Sequence, residues 1–357
     1  MLPVRGVHYD VGHEYAGRGP GTTRPHFDQA GVAADMATIA GRLHANAVRV
    51  AGTDLSRLTV AAGLALEAGL AAWFSPHPAD LAGDNIVAYL GEAARAAEGL
   101  RAAGGSVVMV AGCELSLFCA GFLPGATLED RLGALTGAVP APSGLHASLA
   151  ELPRLLNATL GRGVAAIREH FRGPVTYASA PWEAVDWAPF DLVSVDLYRD
   201  RSNAAGYRDA LRGYARFGKP VVISEFGCCT YAGAADAGGA GFMIFDYDPQ
   251  PPALKLKVPG LQRSEAEQAR YLEELLAIFD AEGMHGAFWH TFAGWAFPHR
   301  PEPRHPQDPP IDLDLGSFGL VKVIETASAG GQARTLEPKE AFWALAAAYR
   351  QSPAPAG

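Results

Sequence analysis

The sequence predicts an α/β fold, a (β/α)8 TIM barrel with enlarged loops after strands four, seven and eight. Three observations predict it: short apolar, β-rich runs recur along the chain, each is followed by a longer stretch of helical periodicity, and eight such runs can be counted. Alternation of this kind is how a parallel sheet covered by helices reads in sequence, and eight strands is the number that closes a barrel.

In chain order, strands are expected at Arg5–Tyr9, Ala47–Ala51, Ala71–Ser75, Val107–Ala111, Val175–Ser179, Leu192–Asp196, Val221–Ser224 and Gly286–His290. Each is a run of four or five residues rich in Val, Ile, Ala or aromatics, as strands buried on both faces require. Helices are expected at Leu58–Ala68, Asn85–Ala103, Leu149–His170, Tyr207–Phe217 and Ser264–Glu282, where Ala, Leu, Glu and Arg dominate. The mixed segment from Phe118 to Leu145 reads as an enlarged connection carrying a helical piece, Leu128–Leu135. Cys228–Gln262 holds AGAADAGGAG and DPQPPALKLKVPG, too rich in Gly and Pro for a regular element and too long for a plain turn. A Pro-rich stretch, Pro298–Pro310, follows strand eight and leads into IDLDLGSFGLVKV, expected to form a small ordered cap. The chain reads as one barrel domain over 1–350 with a flexible tail at 351–357, and no repeat marks a second domain.

With 49% hydrophobic and 19% charged residues, the chain can bury a large core and differs from a disordered polymer. Its net charge of −9 argues against nucleic acid as a partner, since phosphate-tracking surfaces are basic. The start, MLPVRGVHYDVG, lacks the charged and apolar regions of a signal peptide, and no apolar run approaches the ~20 residues that cross a bilayer. A cytoplasmic location without membrane association is therefore expected. Four cysteines, 113, 119, 228 and 229, show no CxxC spacing and read as reduced thiols.

Barrel enzymes work at the C-terminal ends of their strands, so polar residues that end apolar strands are the first candidates for chemistry. Two glutamates qualify: Glu114 in VVMVAGCEL, beyond strand four, and Glu225 in KPVVISEFG, at the end of strand seven. These strands lie across the barrel from one another, so the two side chains can converge over its mouth. Burying a carboxylate beside such apolar runs is costly without a partner or a task.

In this respect the chain resembles the large clan of barrel glycoside hydrolases with retaining chemistry. The resemblance implies Glu114 as acid/base, Glu225 as nucleophile, Arg49 in NAVRVAG and Tyr198 in VSVDLYRD as donors that keep Glu225 ionised, and Trp289 in GAFWHTF as an apolar platform for a sugar ring. Retention wants the two carboxyls ~5–5.5 Å apart and inversion ~6.5–9.5 Å. The implied ligand is a sugar-containing small molecule, with no cofactor. One position departs from the pattern: the clan has Asn before the acid/base, where it bonds the sugar 2-hydroxyl, and this chain has Cys113, a weak donor. That departure leaves open a deoxy sugar, a non-sugar substrate of a biosynthetic enzyme, or a binding protein that does not hydrolyse. SEFGCCTYAGAADAGGAGF and DLDLGSFGLVKV are similar to segments of actinobacterial barrel proteins labelled abortive infection proteins, which implies a phage-defence role.

Other polar residues are expected at the mouth. His8 and Asp10 lie in GVHYDVGHEY, His77 follows strand three, and His290 ends strand eight. A metal set would draw on these four. Metal-dependent amidohydrolase barrels offer an HxH pair on strand one, however, where this chain has His-Tyr-Asp, so the four are read as substrate contacts without a metal. Trp182, after strand five, and Asp196, ending strand six, complete the expected binding set. No P-loop, Rossmann fingerprint or G-x-S-x-G elbow appears.

Overall fold

The fold is taken from a computed structural model, which describes residues 2–16, 21–136, 145–247, 254–300, 311–328 and 331–350. Eight parallel strands close into a barrel: β1 (Val4–Gly12), β2 (Ala47–Gly52), β3 (Ala71–Pro76), β4 (Val107–Cys113), β5 (Val175–Ser179), β6 (Val193–Asp196), β7 (Val221–Phe226) and, after a small hairpin of β8 (Phe245–Tyr247) and β9 (Leu254–Leu256), β10 (Gly286–Trp289). The barrel closes through β1 pairing with both β10 and β2. The predicted TIM barrel is thus the fold, and every expected strand occurs within a few residues of its expected bounds.

Helices α1 (Gln29–Gly41), α2 (Leu55–Glu67) and α3 (Asp84–Ala102) follow the first three strands. AGVAADMATIAG offers little contrast between faces, so α1 escapes a periodicity reading; its Asp28 cap, accepting from the Gly31 amide at 2.7 Å, and buried Val32, Met36 and Ile39 define it. The connection after β4 carries α4 (Leu115–Phe118), α5 (Leu128–Thr136) and the long α6 (Leu145–His170). Helices α7 (Tyr207–Gly213), α8 (Ala234–Ala237) and α9 (Glu265–Ala281) follow, and α10 (Glu340–Arg350) packs on α9. The IDLDLGSFGLVKV segment forms a short 3-10 turn at Leu313–Gly316 and enters a hairpin of β11 (Val321–Ser328) and β12 (Gly331–Pro338). The expected tail, 351–357, and most of the Pro-rich stretch, 301–310, lie outside the described residues.

Strand side chains alternate between the barrel interior and the helix layer. Ala47, Trp73, Val110, Ala178, Val222 and Phe288 fill the interior. A Cβ on Gly6 would fall 2.1 Å from the Phe288 ring, so the glycine makes room for that ring. The rule breaks in β4 and β7. Val110 pairs with Thr176 and Cys113 with Ala178, so β4 uses three steps where β5 uses two. Ile223 pairs with Val195 and Glu225 with Asp196, so β7 carries one extra residue against β6, and it carries the same extra residue against β10. Each is a β-bulge, which re-aims the side chains beyond it. Gly112, at φ 96°, takes up the kink in β4.

Candidate active site

The two bulges decide what faces the mouth. Without the one in β7, strict alternation from Val222 would turn Phe226 inward; instead Glu225 points in and Phe226 packs edge-on against Phe279 of α9. Without the one in β4, Gly112 would follow Val110 inward; instead Cys113 does. Glu114 comes next, in the left-handed conformation at φ 41° and ψ 49°, its amide bonded to the Ala178 carbonyl at 2.8 Å. A non-glycine residue held there is a candidate for function.

Glu225 is held from two sides, by Arg49 of β2 and by Tyr198 beyond β6. Arg49, from β2 and 1% exposed, donates Nη1 to Glu225 Oε1 at 2.9 Å and to the Ser224 carbonyl at 3.1 Å, and Nε to Ser75 Oγ at 3.2 Å. Tyr198 donates its hydroxyl to Glu225 Oε2 at 2.9 Å. Asp196 lies 3.5 Å from the same Arg49 Nη1, and the Cys113 thiol donates to Asp196 Oδ2 at 3.3 Å. On β6, Ser194 and Asp196 alternate inward, and Tyr198 continues the same face.

Burial works against ionisation of Glu225, but His290, Arg49 and the Tyr198 hydroxyl outweigh it and hold its carboxyl below the usual range. Glu114 goes the other way: burial, then the charges of Asp196 and Glu225, push it well above. Asp196 is pushed up to about 7 by burial and by Glu225, against Arg49. The site therefore contains one carboxylate built to stay charged beside two that burial and repulsion favour as acids.

Glu183, after β5, is a further buried carboxylate of the site. It accepts the Ser116 amide at 3.0 Å, the Ala180 amide at 2.9 Å and the Tyr177 hydroxyl at 2.9 Å, while that hydroxyl accepts the Leu115 amide at 2.8 Å. This network fixes the turn that follows Glu114. Trp182 is 42% exposed at the rim, its indole donating to Ser116 Oγ at 3.1 Å.

The histidines form one wall. His8 on β1 sits 4.6 Å from His290, ring centre to ring centre, and His77 meets His13 at 4.7 Å and Phe118 at 4.6 Å. His290 Nδ1 is 3.5 Å from Glu225 Oε2. Burial lowers the pKa of His8, His77 and His290, and for His290 the charge of Glu225 opposes it. Asp10 is occupied in shaping the β1 terminus: its oxygens accept from the Gly12 amide at 2.6 Å, His13 Nδ1 at 2.9 Å and the Thr23 hydroxyl at 2.7 Å.

One expected residue lies elsewhere. Trp289 is fully buried outside the barrel, edge-on to Phe226 at 5.2 Å, with its indole N–H given to the Phe318 carbonyl at 2.9 Å. With Phe288 inward, alternation turns Trp289 toward the helices and brings His290 to the mouth. A platform role for Trp289 is therefore corrected: the strand-eight residue facing Glu225 is His290. Cys113, Cys119, Cys228 and Cys229 are all buried and unpaired.

Clefts are formed among the described residues. One of about 830 Å³ is lined by Arg24, Arg57, Trp295 and Arg334 among others, and neither glutamate lines it; another of about 520 Å³ lies beside the histidine wall, against Tyr15, His77 and Tyr89. Among the described residues no helix is long and apolar enough to cross a membrane.

No protein-family model matches the chain, and no curated protein sequence matches it significantly. Solved structures do match in fold. A GH113 β-1,4-mannanase superposes with a TM-score of 0.58 over 99% of this chain and 100% of that one, at 14% identity. The GH113 β-mannanase of Alicyclobacillus acidocaldarius superposes with a TM-score of 0.61 over 98% of each chain, at 16% identity. A Bacteroides uniformis β-glucuronidase superposes with a TM-score of 0.53 at 14% identity, this chain covering 36% of that longer protein. At such identities the likeness is one of fold alone, a TIM barrel.

Proposed function

We propose that this chain is a glycosidase-like hydrolase acting on a glycoside or glycosylated small molecule, with Glu225 as nucleophile and Glu114 as general acid/base. The observation that carries the reading is the opposite fate of the two carboxyls. Glu225 has Arg49 and Tyr198 as donors and stays ionised, while Glu114 is driven toward its protonated form by burial and by the charge across the mouth. Two acids pushed apart in this way divide the roles of attack and protonation. The glycoside hydrolase folds of the compared structures support the substrate class.

In the first step Glu225 attacks the anomeric carbon as Glu114 gives its proton to the departing oxygen; in the second, Glu114 takes a proton from water as water displaces Glu225. Arg49 and Tyr198 orient the nucleophile, and Glu183 fixes the turn bearing the acid. The test is turnover of a panel of aryl glycosides. Glu225→Gln should abolish it with the fold intact, and azide should restore turnover to Glu225→Gly by forming a glycosyl azide; undiminished turnover by Glu225→Gln overturns the assignment.

Cys113 favours a second reading. A thiol committed to Asp196 at 3.3 Å offers a sugar hydroxyl one weak donor. A binding or phage-defence barrel, or a biosynthetic enzyme on a non-sugar substrate, would keep these carboxylates as ligand contacts. Absence of turnover across the glycoside panel, with tight binding of a metabolite or phage component, would favour it.

A further inference from the structure

The catalytic reading uses Glu225 through Arg49 and Tyr198 and leaves the adjoining histidine pair without a task. One nitrogen of His8, one of His290 and one carboxylate oxygen of Glu225 all lie within 4.8 Å of one another. We propose that His8, His290 and Glu225 form a binding site for a borderline divalent transition metal ion, zinc foremost.

The hydrogen bonds of His8 prepare it as a ligand. Thr291 gives its hydroxyl proton to the His8 carbonyl at 2.9 Å, so Thr291 Oγ1 accepts from His8 Nδ1–H at 3.0 Å. That arrangement puts the ring proton on Nδ1 and leaves Nε2 with its lone pair, the pattern by which second-shell groups orient metal-binding histidines. His290 Nδ1 is buried with no hydrogen-bond partner, 3.5 Å from Glu225 Oε2. Tetrahedral ligands held at zinc bond lengths of ~2.0–2.2 Å stand about 3.3–3.5 Å apart, so this edge is already at ligand spacing and a small side-chain rotation closes the rest. Two imidazoles and one carboxylate leave a fourth position open to water.

A second trio, Cys113, Asp196 and Glu225, meets the same spacing, but it already holds a cation: Arg49 Nη1 stands 3.5 Å from Asp196 Oδ1 and 2.9 Å from Glu225 Oε1. The histidine trio faces the other oxygen of Glu225. Metal there would engage the lone pairs needed for attack on carbon, so zinc should inhibit hydrolysis; that consequence, unlike the site itself, rests on Glu225 being the nucleophile.

Titration of the full chain with zinc chloride, followed by calorimetry and by the visible spectrum of a cobalt-substituted sample, tests the site without turnover. One equivalent should bind, His8→Gln and His290→Gln should each weaken binding at least tenfold, and Thr291→Val should weaken it by about 10–100-fold through loss of the ring's orientation. Cys113→Ala should leave it unchanged. No saturable binding, binding indifferent to both histidine variants, or binding lost with Cys113→Ala overturns the proposal. Zinc binding by a chain that shows no glycosidase turnover even when freed of metal with a chelator upholds the metal site and sinks the reading of Glu225 as nucleophile; turnover without zinc binding does the reverse.

Discussion

Arg49 Nη1 stands 2.9 Å from Glu225 Oε1 across the barrel mouth, one guanidinium spanning β2 and β7 with 1% of its side chain exposed. Removing one partner of so buried a pair typically costs about 3–5 kcal/mol, because the other charge is left uncompensated. Arg49→Met should therefore lower the melting temperature, cut kcat/KM by at least two orders of magnitude, and move the acid limb of the pH–rate profile to higher pH. A profile unmoved by the substitution would show that Arg49 does not act on Glu225.

The pH dependence has a definite sign. Hydrolysis needs Glu225 ionised, and this is lost only when pH falls below the ordinary carboxylate range, since its pKa is lowered. It also needs Glu114 protonated, which is lost as pH rises through its raised pKa. The profile of kcat/KM should be a broad bell, its acid limb below and its basic limb well above the ordinary carboxylate range, with both limbs belonging to the cluster that includes Asp196. Glu114→Gln, assayed on an aryl glycoside whose leaving group needs no proton, should remove the basic limb and leave the acid one.

Gly112 permits the bulge that brings Cys113 and Glu114 round. A Cβ there would meet Leu115 Cδ2 at 2.7 Å, on a backbone at φ 96° that L side chains rarely adopt. Gly112→Ala should cost about 1–3 kcal/mol in a chemical denaturation experiment and lower kcat more than it raises KM, because the displaced residue is the acid.

Trp289 and His290 should separate cleanly. Trp289→Phe removes a buried hydrogen bond to the Phe318 carbonyl and should lower stability with KM unchanged. His290→Ala should raise KM with little loss of stability. The opposite outcome would return Trp289 to the substrate face.

Asp35, under the Tyr9 hydroxyl at 2.6 Å, has its pKa raised to about 6, chiefly by burial. A carboxyl with a raised folded-state pKa binds its proton more tightly when folded, so its contribution to stability declines as pH rises from about 4 to about 6. The melting temperature of Asp35→Asn relative to the natural chain should therefore be higher at pH 7 than at pH 4; an unchanged difference would refute the shift.

Much of this was legible in the sequence. Uninterrupted apolar strands marked the barrel, and a carboxylate ending such a strand stands out because burying it is expensive. Trp289 was expected at the mouth from the resemblance alone, and its parity with the inward Phe288 turns it to the helix layer instead. The bulges at Gly112 and Ser224 were hidden, since one extra residue leaves no compositional trace when its neighbours are apolar. The Glu183 network was out of reach for another reason: its partners, Ser116 and Tyr177, are set by tertiary contact rather than spacing.

Those two extra residues have a consequence for how such a scaffold can change. Below them, β4 and β7 keep the regular in-and-out count that the packed interior demands; above them, the count restarts. The rim is thereby uncoupled from the wall. Residues that meet a ligand can be replaced, and with them the substrate, without any interior position changing hands, whereas loss of a bulge would exchange Glu225 for Phe226 at a single stroke and silence the mouth while the barrel still folded.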